Sequence, residues 1–449
     1  MRHDDQPPTD SKTPMVEFAV RAQTPPSAMQ RIRSSFSVIP MLGWLTGILC
    51  AVFIERFFGD ELAYRLYLPK LPVLFGCLIM FKTPVLIPSA LAYVILVYVI
   101  PVTATARLTA GLTNRLAAIL DRGPIAASCL IHLGLLYLAL HYWTDLSDYR
   151  LLVLKLTMIA VMLTLSLNLI NGYMGEFSCS HPGFMALGAY SASTVTLLLF
   201  SNDRLFGAAV LPAAWGSYCF PLALIFGGIS AAAGALLVAI PSFRTRGDYL
   251  AIISLAFMFI VKSLIENLEW LGGPRGMSGQ PDWSSLPVVY AWMVACIWVV
   301  NNFVRSIYGK ALNALRDNEM AAEAMTVNTR KTKITAFMLG AFWAGVAGGL
   351  FAHVMRFVNP GTFGIQRLAE VLAMVYFGGL NSVVGSIFGA VSINLISEML
   401  RPLEIYKWIV IPVILILVMI YRPTGLLAFR EFDVKAILRP KHSGTGQGA

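Results

Sequence analysis

Apolar residues run along this chain in blocks of about twenty, separated by short polar stretches, which is the length that crosses a bilayer as a helix. Such runs fall at 36–54, 84–104, 125–141, 151–171, 184–200, 219–240, 249–267, 286–303, 334–355, 384–400 and 407–421. A shorter run, 365–380, ends in Gly378-Gly379, and 71–81 reads as a lead-in to the second block. The pattern predicts an all-α fold: a polytopic transmembrane helix bundle of ten to twelve spans. Composition agrees. Of 449 residues, 57% are hydrophobic and 13% charged, against about 25% charged in ordinary soluble domains. A soluble enzyme with a polar shell is excluded, and so is a disordered chain, because 26 Phe, 16 Tyr and 9 Trp are far too many aromatics.

The net charge of +10 is explained by where Lys and Arg collect. Five lie in residues 1–35, three near 105–123 (Arg107, Arg115, Arg122), and Arg244 and Arg246 in 241–248. Six lie in 304–333 and five beyond Tyr421, whereas the loops 142–150 and 268–284 carry one each, Arg150 and Arg275. Basic loops stay on the cytoplasmic side, so both termini are expected to be cytoplasmic. No basic patch interleaved with aromatics stands outside a membrane flank, and no nucleic acid is expected as a partner. The organisation expected is a polar tail (1–35), an N-terminal extension with about two spans (36–124), a core (125–428) and a second tail (429–449). The six cysteines form no C-x-x-C pair, so neither a disulfide framework nor a metal site is indicated.

Enzyme signatures fail. Gly309-Lys310 is followed by Ala311 and lacks the Walker A glycine upstream, so the chain is expected to hydrolyse no ATP itself. "GMSG" (276–279) resembles a rhomboid-protease nucleophile motif, but Ser278 lies between Pro274 and Pro281 in a loop. That chemistry needs the serine at a helix start inside the membrane.

Two stretches are more informative. In "NLINGYMGEFSCSHPGFMALGAYSAS" (168–193), the segment 172–183 is rich in Gly and polar residues between two spans. It reads either as a cytoplasmic turn or as a broken helix beside a translocation path, since irregular backbone at membrane depth must be buried or line water. Candidate path residues are Asn168, Gly172, Glu176, Ser178, His181 and, in a separate span, Glu370, an acid that must face the bundle interior or water. The loop 304–333 has a centre, 311–325, without Pro or Gly and strongly helix-forming. Leu312, Leu315, Ala322 and Met325 form an apolar stripe opposite Arg316, Asp317, Glu319 and Glu323. Such a helix can dock in a partner's groove or rest on lipid headgroups.

At this loop the sequence resembles a family. "NLINGYMGEFSCSHPGFMALGAYSA", "FRTRGDYLAIISLAF", "GGPRGMSGQP", "YGKALNALRDNEMAAEAMTVNTRKTKITAF", "GGLNSVVGSIFGA" and "YRPTGLLAF" occur in the order found in LivM-type permeases of branched-chain amino-acid ABC importers. The resemblance covers about 150–428. It implies a permease that moves branched-chain or other amino acids across the inner membrane, with a urea or short-amide importer as the rival substrate class. A passive channel would need no coupling helix. The partners implied are a second permease subunit, two cytoplasmic ATPases that bind the ATP, a periplasmic substrate-binding protein and membrane lipid; no cofactor is expected in this chain. Carried over by position, Arg316, Asn318, Glu319, Ala322 and Glu323 become ATPase-coupling residues. Two departures stand out: an acid at Glu176 where members usually have none, and Met258-Phe259 where many have Gly-Glu.

Overall fold

A computed structural model describes residues 39–68, 84–201, 207, 209–212, 215–243, 249–401, 404–429 and 432–438. The N-terminal tail, the lead-in 71–81, Arg244, Arg246 and Lys441 lie outside the described residues. In chain order the helices are α1 (Met41–Arg65), α2 (Ile87–Leu108), α3 (Ala110–Arg122), α4 (Ile125–Thr144), α5 (Asp148–Met174), α6 (His181–Phe200), α7 (Gly216–Ser242) and α8 (Tyr249–Asn267). Then come α9 (Leu286–Arg305), α10 (Ile307–Asp317), α11 (Glu319–Ala324), α12 (Thr329–Met355), α13 (Ile365–Gly378), α14 (Val383–Met399), α15 (Glu404–Tyr421) and α16 (Val434–Leu438).

Every apolar run expected to cross has its helix. Among the described residues nine are long and apolar enough to span: α1, α2, α4 to α9 and α12. Shorter apolar helices are α14 and Ile409–Tyr421 of α15. At 14 residues α13 reaches only about 21 Å, too short to span unaided. The expectation of a loop at 105–123 is corrected: α3 occupies most of it. Its Leu112, Leu116 and Ile119 form an exposed stripe, a pattern that suits a bilayer surface. Hydropathy missed it because its polar face cancels its apolar one.

The glycine-rich α12 runs through the centre between α6 and α7. Gly188 of α6 lies against the Gly345 backbone of α12, and Gly227 and Gly228 of α7 approach Gly345 from another side. A Cβ on Gly188, Gly227 or Gly345 would overlap backbone of the facing helix, and one on Gly228 the Phe342 ring, so small residues set the helix spacing here, as in other membrane bundles. Gly378 of α13 meets Gly385 and Gly389 of α14 in the same way. A two-residue antiparallel ribbon, β1 (Met277–Ser278) with β2 (Phe357–Val358), ties two loops at the end of α12 remote from α10 and α11.

The N-terminal helices attach through a buried polar cluster. Both carboxylate oxygens of Glu55 in α1 accept from Arg150 of α5, Oε1 from Nη2 at 2.8 Å and Oε2 from Nη1 at 3.1 Å. The Tyr93 hydroxyl donates to the same carboxylate at 3.5 Å, and so does that of Tyr98. The Trp143 indole donates to the Tyr98 hydroxyl at 3.1 Å, and the Arg150 guanidinium stands 5.0 Å from the Trp143 ring. Arg150 is therefore not the loop residue expected from its position. It sits in the first turn of α5, 1% exposed.

Candidate functional site

The loop 304–333 folds as two helices, not one. Asn318 takes an extended conformation between them, and its side chain accepts from the Ala321 N–H at 3.0 Å. An Asn side chain that caps the next helix ends the previous one. The apolar stripe then faces inward: Leu312, Leu315 and Ala322 are buried against the chain's own bundle, and only Met325 of the four is exposed. The outward surface of α11 instead presents Met320, 76% exposed, together with Glu323. Arg316 also turns inward. Its Nη1 donates to the Gly172 carbonyl at 3.5 Å, its Nη2 lies 2.9 Å from Asp317 Oδ1, and its guanidinium covers the Phe429 ring at 5.5 Å.

Gly172 belongs to the π-turn Leu169–Met174 that ends α5, and an irregular stretch, 175–180, follows before α6 starts at His181. Gly175 sits at φ 77 with the Arg316 side chain against it, a backbone region that glycine enters without strain. Side chains satisfy the irregular backbone. Asn171 Oδ1 accepts from the Ser178 N–H at 3.2 Å, and Ser254 Oγ of α8 from the Cys179 N–H at 2.9 Å. Ser178 and Ser180 share a hydroxyl contact at 2.9 Å. The segment breaks the helix between α5 and α6 with most of its backbone buried in protein; at its tip Gly175 and Phe177 are exposed and Glu176 is half-buried.

Glu176 does not stand alone. Lys333 Nζ, in the second turn of α12, lies 2.8 Å from Glu176 Oε1 and 2.9 Å from Glu319 Oε1. One largely buried ammonium thus joins the tip of the broken helix to the start of α11. Sequence reasoning counted Lys333 among loop cations and placed Glu176 and Glu319 at separate sites. Spacing alone carried no signal for this triad, because its members are 157 and 14 residues apart in sequence and on three elements.

The other path candidates separate. Asn168 is 1% exposed and fully engaged: its Nδ2 donates to Ser386 Oγ (2.6 Å), the Ser382 carbonyl (3.0 Å) and the Gly379 carbonyl (3.4 Å). Its Oδ1 accepts from the Asn381 N–H at 3.2 Å. It bolts α5 to the turn between α13 and α14, and Gly172 packs against that bolt. His181 is buried, edge-on to Phe184 at 5.9 Å. Met258 packs with Cys179 and Leu368 in a small apolar cluster, and Phe259 is exposed.

Glu370 stands elsewhere. It pairs with Arg367 at 3.1 Å, and the guanidinium covers Phe351 of α12 at 5.1 Å. Phe351 is 18 positions beyond Lys333, about 27 Å along the helix. Arg367 and Glu370 line a polar cavity of about 390 Å³ with Asn359, Gly361, Thr362 and Gln366. The structure therefore does not bring Glu370 to Glu176.

With this geometry in hand, comparison with known proteins places the chain. The profile of the family described as "Branched-chain amino acid transport system / permease component" matches residues 149–419, α5 through most of α15. The high-affinity branched-chain amino acid transport system permease protein LivM of Escherichia coli K12 is 33% identical over 318 residues, covering 63% of this chain and 71% of that protein. LivH of the same organism, also named a permease protein of that system, is 29% identical over 153 residues, 31% of this chain and 49% of that protein. A probable LivM of Methanocaldococcus jannaschii is 26% identical over 274 residues, 54% of this chain and 75% of that protein. No solved structure matches. The family match over more than half the chain, on a bundle with nine helices fit to span among the described residues, establishes that this chain belongs to the branched-chain amino acid transport permease family as a multi-pass inner-membrane permease.

Proposed function

We propose that the chain is one of two permease subunits of an ATP-driven importer of branched-chain amino acids, that two separate ATPases dock on α10 and α11, and that a periplasmic binding protein delivers the substrate. The observation that carries this reading is the grip of the α10–α11 unit on the broken helix. Arg316 holds the Gly172 carbonyl, and Lys333 is shared between Glu319 and Glu176. A push on α11 from outside moves groups bonded directly to the end of α5, which is what a coupling element must do. The side of α11 left open for a partner carries Met320 and Glu323, an apolar anchor beside a charge. Well-packed apolar anchors at the centre of an interface carry much of its binding energy. On this reading α10 and α11 are cytoplasmic, as the Lys and Arg distribution expects.

The test is reconstitution of this chain with the second permease, the ATPases and the binding protein in proteoliposomes. Met320→Asp should leave the permease inserted, lower ATPase association at least tenfold and abolish leucine uptake. Normal association would remove α11 as the docking surface. Glu319→Lys is the poorer probe, because it sets a second cation beside Lys333 and disturbs the chain's own ion pairs. Uptake of a short amide in place of leucine would keep the permease assignment and replace the substrate.

A further inference from the structure

A cavity of about 520 Å³ opens beside α10, between the end of α9, the α13–α14 turn and the residues after α15. Its lining is of three kinds. Arg305 and Lys310 supply two cations; Asn301, Asn313 and Asn381 supply amides; Val304, Phe429 and Phe432, with the Tyr173 ring, supply a largely apolar wall. The amide oxygens of Asn313 and Asn381 are both buried and have no hydrogen-bond partner. Buried polar atoms are almost always paired, so two unpaired acceptors on one cavity mark a place for a ligand that donates. Asn381 has φ 55, in the left-handed region that Asn enters more readily than most residues, and its own N–H is already held by Asn168. Asp433 at 3.8 Å from Arg305 is the acid at the rim.

Cations alone would suit any anion, and unpaired acceptors alone any amine. Together, with an apolar wall, they suit a molecule carrying both charges and an aliphatic side chain. We propose that this cavity binds a free α-amino acid with an aliphatic side chain on the α10–α11 side of the membrane: its carboxylate on Arg305 and Lys310, its ammonium on the oxygens of Asn313 and Asn381. Because Lys310 and Asn313 belong to α10 and Asn381 to the α13–α14 turn, the bound molecule ties the proposed coupling helix to the bundle. Accumulated product then restrains the helix that must move for the next cycle. The proposal rests on the amino-acid reading above and adds a feedback site to it.

The test uses the permease pair with its ATPases in nanodiscs, without the binding protein. The probes are L-leucine, the corresponding 2-oxo acid that lacks the ammonium, and the corresponding alkylamine that lacks the carboxylate. Saturable binding of L-leucine, with both single-charge analogues at least tenfold weaker, is the expected result. Lys310 is exposed, so Lys310→Gln tests the site without disturbing the core and should weaken leucine binding several-fold. Asn313→Leu should weaken it tenfold or more. In proteoliposomes, leucine on the ATP side should slow uptake, and both variants should relieve that inhibition. Equal binding of the 2-oxo acid would make this a simple anion site and overturn the proposal. So would absence of leucine binding in a transporter that takes up leucine. Failure of uptake itself in the wild type strikes the substrate reading instead, so the two failures are distinguishable.

Discussion

The N-terminal helices and the central bundle are held by different physics. In α5, 78% of the most apolar stretch is buried, and in α12, 72%; in α2 and α4 the figure is 17%. The bundle is built on glycine contacts that bring α6, α7 and α12 backbone to backbone. Helices α1 and α2 have only a small apolar cluster of their own, around Ala63, Leu68, Ala90, Tyr93 and Val97. They are joined to α5 by one buried carboxylate–guanidinium pair and its aromatic hydroxyls. Lipid is as apolar as leucine, so burial against lipid gives little reason for one helix to prefer another. Close packing and internal polar bonds must supply that preference. The bundle relies mainly on the first, with polar bolts such as Asn168 added, and the junction of α1 and α2 with α5 on the second.

The largest effect is expected from Arg150→Met at the junction of α1 with α5. The substitution leaves the buried Glu55 carboxylate without its counter-charge, held only by the Tyr93 and Tyr98 hydroxyls, and removing one partner of a buried pair costs about 3–5 kcal/mol. Thermal unfolding in detergent should begin earlier, and proteolysis should reach the segment before α5 first. Glu55→Met with Arg150→Met should recover most of the loss, because two apolar groups leave no stranded charge. If the double variant is as unstable as the single one, the cluster is not an isolated joint.

A smaller effect is expected in the bundle. Gly188→Leu forces α6 away from Gly345, and overpacking of this kind typically costs about 1–3 kcal/mol. The purified protein should show a lower melting temperature without selective proteolysis of α1 and α2. The smallest effect on the fold belongs to Met320→Ser on the open side of α11. An exposed substitution should shift stability by no more than about 0.5 kcal/mol while still weakening ATPase association. A melting shift as large as that of Gly188→Leu would mean that Met320 supports the fold and is not an open docking surface.

Much of this was legible along the chain. Each of the twelve apolar runs became a helix, because hydropathy acts locally. The broken segment at 172–183 was marked by its composition. What could not be read was which way polar residues point. Asn168 looked like a path residue and is a bolt. Ala322 and Arg316 looked like a partner's contacts and face the chain's own bundle. Glu176, read as a path acid, shares Lys333 with Glu319.

The division has a physical cause. Moving a helix of about twenty apolar residues into lipid is a property of that segment alone, so span positions and the α class follow from hydropathy without knowledge of neighbours. A buried charge is tolerable only beside its counter-charge, and the counter-charge can come from anywhere that packing brings it. Glu55 finds Arg150 at a separation of 95 residues and Glu176 finds Lys333 at 157. Those pairings exist only once packing has set the order and spacing of the helices. Tertiary structure therefore decided which polar residues hold the bundle together, which connect α11 to the broken helix, and which are left facing a cavity.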